Sequence, residues 1–180
     1  MADSNGSTNS NNPIARETAG PTRRVGVQPF DRGMVKDHLE RQSLKYLVDQ
    51  DGDFRVDFAA FSDEGYELTV WLTAEGTNED IFVIRTIANA RIAKTLWLDV
   101  MQACNQWNME KRYPKAFLFL PTDSDELFGA IHLEGQFPLA AGVTQPILDE
   151  FINTIIGTSF SFWEWIVGSK LLVESLGGND

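Results

Sequence analysis

The sequence has little with which to do covalent chemistry. It holds one cysteine, Cys104, and two histidines, His38 and His132, in 180 residues. A lone cysteine excludes an intrachain disulfide and suits a reducing compartment. A catalytic thiol needs a base and an electropositive setting. Both histidines are distant in sequence, and Cys104 falls on the apolar face of a helical stretch, so it reads as buried packing. His38, beside the apolar face of an earlier helix, reads as an interfacial polar group. The glycines Gly76, Gly129, Gly135 and Gly142 are isolated and form no phosphate-cradling loop. No Gly-x-Ser-x-Gly elbow is present. Long apolar runs are missing as well. The one from Ile155 to Val167 is broken by Gly157, Thr158, Ser159, Ser161 and Glu164, which excludes a transmembrane helix. The amino terminus has no basic stretch followed by an apolar one, so no signal peptide is expected, and the cytoplasm is the expected location. No catalytic residue, cofactor or metal ligand is expected.

Positive charge is scarce. Lys and Arg number 15 against 26 Asp and Glu, a net charge of −11. Up to Arg24 the balance is +1, from Arg16, Arg23 and Arg24 against Asp3 and Glu17, so the remainder carries −12. Such a surface repels phosphate backbones, and neither nucleic acid nor membrane is an expected partner. Arg85, Arg91 and Lys94 come nearest to a basic patch. The acidity serves solubility, or docking to a basic partner.

Apolar bulk is plentiful: 43% of residues are hydrophobic, with 12 Phe and 5 Trp. That supports one core in a domain of about 150 residues. Residues 2–12 are almost entirely Ser, Asn, Gly, Thr, Asp and Ala and cannot offset the entropy of ordering. The division expected is a disordered tail over 1–24 and a single domain over 25–176.

A first helix is predicted from Asp31, its N-cap, to about Gln42, with Met34, Val35, Leu39 and Gln42 on one face. Short strands follow at Tyr46–Asp49, Phe54–Ala60 and Leu68–Thr73, the last two alternating apolar and polar. Their turns are Asp51-Gly52-Asp53 and Asp63-Glu64-Gly65. Ile81–Ile84 is continuously apolar and reads as a central strand. The helix Lys94–Met109 presents Trp97, Val100, Met101, Cys104 and Trp107 to the core. After Tyr113-Pro114 come strands Ala116–Leu120 and Leu127–Leu133. A helix capped by Thr144, with Pro146 in its first turn, runs to Ile156. A second helical stretch runs from Phe160 to Ser175, with a bend at Gly157. Short hairpins demand antiparallel pairing. The fold class expected is α+β: a twisted antiparallel sheet of about five to six strands with helices packed on one face.

Three polar groupings merit weighing. Asp49-Gln50-Asp51-Gly52-Asp53 has the look of a calcium loop but the wrong spacing: Gly52 is fourth, Ala60 is twelfth, and strands flank it, so it reads as a hairpin turn. Asp123, Asp125 and Glu126 share a turn and read as a solvated loop. Asn105 and Asn108, near a helix end, satisfy terminal carbonyls or bond to a passing strand. Among the aromatics near the carboxyl terminus, Phe162, Trp163, Ile166 and Val167 face inward. Phe160 and Trp165 then have less room, which makes them the candidate partner-binding residues.

The Asp49–Asp53 hairpin after a first helix, the helix end Asn105-Gln106-Trp107-Asn108, the strands Ala116–Leu120 and Leu127–Leu133, and Gly142-Val143 before the last helix together resemble the YbjN domain family, often labelled bacterial sensory transduction regulators. The resemblance covers roughly residues 30–167. It implies a fold like that of type III secretion chaperones, which are commonly dimers holding extended segments of other proteins. It implies no catalytic residue. The expected function is a non-enzymatic, protein-binding module, chaperone-like or regulatory, with a protein partner of unknown identity and a homodimer through the carboxyl-terminal aromatics. The alternative is a small enzyme or ligand-binding protein with an unrecognised site.

Overall fold

A computed structural model describes residues 26–59, 66–120, 127–169 and 171. The expected tail over 1–24, the Asp63-Glu64-Gly65 turn, the acidic turn Asp123–Glu126 and the glycines after residue 176 lie outside the described residues.

Helix α1 spans Arg32–Arg41, and the Asp31 side chain accepts from the Gly33 N–H at its start. Strands β1 Leu47–Val48, β2 Phe54–Phe58, β3 Leu68–Glu75 and β4 Ile81–Ala88 follow as antiparallel neighbours. A break at Asn89–Arg91 leads to β5, Ile92–Ala93, and a 3-10 turn at Lys94–Leu96 opens α2, Trp97–Glu110. Strands β6 Lys115–Phe119 and β7 Phe128–Pro138 precede α3, Gln145–Gly168. The order is β1-β2-β3-β4-β7, with β6 along the opposite side of β7 and β5 on its first residues. Every pairing is antiparallel. Strands β4 and β6 flank β7 and are therefore parallel to each other, a relation that requires the long crossover through α2.

Alternation sets the two faces. One row across the sheet, Val56, Val70, Thr86, Leu133 and Ala116, is buried throughout. The adjacent row, Asp57, Thr69, Ile87, His132 and Phe117, is partly or fully open to solvent. All three helices contribute to the core over the first face: Met34, Val35 and Leu39 from α1, Val100 and Cys104 from α2, and Leu148, Ile152, Phe162 and Ile166 from α3. Each fully buried aliphatic or aromatic side chain contributes about 1.5–3 kcal/mol, so this layer carries the fold. Inside it, Thr86 bonds to Ser159 at 3.0 Å, and Ser159 donates to the Ile155 carbonyl at 2.7 Å, which satisfies both hydroxyls.

Three expectations need correcting. The last helix is not divided at Gly157: α3 is one continuous helix of 24 residues, with buried side chains recurring on both sides of the glycine. Met101 is 44% exposed. Helix α2 lies over β6 at the sheet margin, so the core covers a narrower arc of it than its apolar residues span. Gln42 is an exposed cap residue rather than part of the face of α1. Strand β7 also runs on to Pro138, well past Leu133.

Gly157 is exposed, with nothing within 4 Å of where a Cβ would lie. Gly157→Ala is therefore expected to stabilise the chain by about 0.5–1 kcal/mol by reducing unfolded-state freedom. A thermal melt checks it, and a lower midpoint would show that the glycine serves packing after all.

Candidate interaction surface

The titratable groups that looked most like chemistry are engaged in structure. His38 is buried between α1 and α3, with Nδ1 3.0 Å from Asp149 Oδ1. Asp149 also accepts both Arg41 contacts at 2.7 Å and the Gln145 amide at 2.7 Å. A His–Asp pair acts as a base only if the second ring nitrogen reaches a nucleophile or a substrate. Here Nε2 is buried and has no hydrogen-bond partner among the described residues. The cluster ties two helices together.

Cys104 is 3% exposed on the inner face of α2, and burial pushes its thiol up to about 11. At neutral pH the thiolate is a minute fraction, and the sulfur is out of reach. Labelling by a thiol reagent in native buffer is expected to be at least about a hundredfold slower than in denaturant. Equal rates would contradict this placement.

Two of the three carboxylates in the Asp49–Asp53 turn are engaged. Asp49 Oδ1 accepts the N–H groups of Asp51 and Asp53 at 3.0 Å. Asp53 Oδ1 receives Arg32 and the Ala74 N–H. Arg32 in turn pairs with Glu79, and that hydrogen bond holds the Glu79 carboxyl below its ordinary range. The hairpin is pinned to the first turn of α1, and no metal-binding cluster occurs among the described residues.

The amide of Asn108 does bond to a passing strand. Its nitrogen donates to the Ala116 carbonyl at 2.8 Å, and its oxygen accepts the Ala116 N–H at 2.9 Å. Among the described strands β6 has a neighbour, β7, on one side only, so its outer edge invites pairing with another chain. The amide occupies that edge as a strand residue would. Trp107 Nε1 donates to the Pro114 carbonyl at 3.0 Å and fixes the turn into the strand. Asn108→Ala is expected to lose about 1–2 kcal/mol and to show concentration-dependent self-association in sedimentation velocity. An unchanged melt and a concentration-independent profile would refute the capping role.

The uncovered face is apolar toward β6. Phe117 and Phe119 both meet the His132 ring, the latter stacked at 4.8 Å and 9°. Phe119 is 50% exposed, and Leu120 and Leu127 are exposed beyond it. Burial, and then the nearby Arg85 guanidinium, hold His132 below its ordinary value. On α2, Leu98, Met101 and Met109 are exposed too. These residues were not among the sequence candidates; the signal available was apolar side chains on the outward parity of β6 and the outward arc of α2.

The two sequence candidates sit elsewhere. Phe160 is half-buried against Phe58 at 5.2 Å. Trp165 is half-buried, packed on Trp107 at 5.7 Å and Phe162 at 5.8 Å. They lie on one helix, but Phe160 meets strand β2 while Trp165 meets helix α2, and most of each ring is occupied by the chain itself.

No helix among the described residues is long and apolar enough to cross a membrane. The family described as "Putative bacterial sensory transduction regulator", YbjN, matches residues 31–167. No curated protein matches the chain. The crystal structure of YbjN from E. coli, described as a "putative transcription regulator", superposes with a TM-score of 0.60 at 12% identity, covering 80% of this chain and 97% of that one. At that identity the likeness speaks to the fold.

Proposed function

The chain belongs to the YbjN family, whose description is that of a regulator, and from that premise we propose that it works in the cytoplasm by binding another protein rather than by catalysis. One observation carries the reading: His38 and Asn108 are committed to structural ties, while bulky apolar side chains stand in solvent along β6 and α2. Exposed apolar residues are what a partner covers, and here they stand on the open sheet face at β6 and on the outer arc of α2. An enzyme site would instead bring acid, base and nucleophile together in a cleft.

The half-exposed rims of Phe160 and Trp165 are a second place for such contact, including contact with another copy of the chain. Sedimentation equilibrium at tens of micromolar tests the copy, since the mass of one chain ends the homodimer proposal. Affinity capture with the full chain, followed by mass spectrometry and reconstitution with the purified partner, tests the main reading. A reproducible partner whose binding is lost in Phe119→Ser supports it. No partner, together with turnover in an activity screen, would replace it with the enzyme reading.

A further inference from the structure

Cations are divided unevenly over this fold. Arg32, Lys36, Arg41, Arg55 and Arg85 each meet a carboxylate. By contrast, Arg91, Lys94, Lys111, Arg112 and Lys115 meet none among the described residues; outside this group only Lys45 shares that state. Three of the five lie over rings instead: Arg91 over Phe128 at 4.1 Å, Lys94 over Trp97 at 5.6 Å and Lys111 over Trp107 at 5.7 Å. Residues 91–115 hold these five cations against Asp99 and Glu110, a net of +3 in a chain of net −11, which leaves −14 for the remainder. Acids are abundant, yet among the described residues none lies against these five cations.

Helix α2 lies between the two groups of cations, Arg91 and Lys94 before it and Lys111, Arg112 and Lys115 after it. Its 14 residues span about 21 Å. Leu98, Met101, Asn105 and Met109 fall within an arc of about 80° on its surface, and Asp99 and Glu110 fall outside that arc. The result is a largely apolar ridge flanked at both ends by positive charge that meets no carboxylate among the described residues.

We infer that the outer face of α2, with the cations at its two ends, is the docking surface for an acidic, leucine-bearing segment of a partner protein. The inference rests on the protein-binding reading above and names the chemistry of the partner. Charge decides the occupant. A twofold contact would lay +3 against +3, so a second copy is disfavoured on this face. A long polyanion such as nucleic acid would meet the acidic remainder of the molecule. A short acidic segment avoids that field, and its apolar residues cover Leu98, Met101 and Met109.

The test uses the full chain and three synthetic peptides of about sixteen residues, long enough to span α2, with Leu at helical spacing and Glu, Gln or Lys elsewhere. The Glu peptide is expected to bind at least about tenfold more tightly than the Gln peptide and to shift amide resonances over 91–115. Raising salt from roughly 50 to 300 mM should weaken it severalfold. The variant Lys111→Glu/Arg112→Glu/Lys115→Glu should lose at least about tenfold, with its circular dichroism and melting unchanged, and the single variant Met109→Ser should lose severalfold. Equal binding of the Glu and Gln peptides, or unchanged binding in the triple variant, overturns the inference. Displacement of the Glu peptide by a lower concentration of single-stranded oligonucleotide overturns it in favour of nucleic acid. A captured partner that binds the wild type and the triple variant equally well removes this surface and leaves the protein-binding reading standing. No partner at all removes both.

Discussion

Replacing Trp163 with alanine is expected to lower stability by about 3–5 kcal/mol, the largest loss from any single truncation in this chain. Trp163 is fully buried and the largest of the sealed side chains. It meets Phe162 edge-on at 5.5 Å and Tyr66 at 6.3 Å, so its removal opens a cavity between α3 and the sheet. For a domain of this size the loss is a fall of roughly 6–20 °C in melting temperature. Trp163→Phe provides the contrast. The indole N–H is buried without a partner among the described residues, which costs about 1–3 kcal/mol in the wild type. Phenylalanine removes that cost while leaving a smaller cavity, so the net change should stay within about 1 kcal/mol. Chemical denaturation of both variants reads the difference. Equal large losses would mean that the N–H is satisfied, and a small loss for alanine would mean that the site collapses.

Gly135→Val is expected to cost at least about 3 kcal/mol, at the upper end of overpacking losses. A Cβ at Gly135 would lie 2.3 Å from Ile155 Cδ1 and 2.8 Å from Cγ1, closer than atoms approach. The glycine is what lets α3 settle on β7. If that contact is the cause, Ile155→Ala should recover part of the loss in Gly135→Ala, with a coupling of about 0.5–3 kcal/mol in a double-mutant cycle. Additive losses would place the role of Gly135 in the backbone rather than in the helix–sheet contact.

The elements most legible in the sequence are those whose signal is local. Alternation at Phe54/Val56/Phe58 and Leu68/Val70/Leu72 gives strands whose inner residues are buried, except that Phe58 remains half-open. Asp31 and Thr144 cap helices as their side chains suggest. The apolar run at Ile81 belongs to a strand with neighbours on both sides. Signals that depend on distance along the chain were not readable. His38 and Asp149 are 111 positions apart, and nothing local to either announces the pair. Met101 is as apolar as its neighbours, and only the position of α2 at the sheet margin exposes it. The positive surface is diluted in sequence by Asp99 and Glu110; it emerges once the other cations are matched with their carboxylates. Gly157 is the converse case, a strong local breaker overruled by packing on both sides.

That overruling leaves a fault line in a long rod. Helix α3 is about 36 Å from end to end at 1.5 Å per residue, and at its middle Gly157 is followed by Thr158, Ser159 and Ser161. Their hydroxyls donate back to the carbonyls of Thr154, Ile155 and Gly157. Such bonds compete with the helical ladder, and glycine adds backbone freedom at the same point. Transient opening of the rod should therefore begin there, with its two halves held down separately, by Ile152 and Ile155 on one side and Phe162 and Ile166 on the other. Amide protons near Gly157 should then trade with solvent faster than those a turn away in either direction. A load placed on the half bearing Trp165 would be relieved at this joint before it reached the half anchored at Asp149.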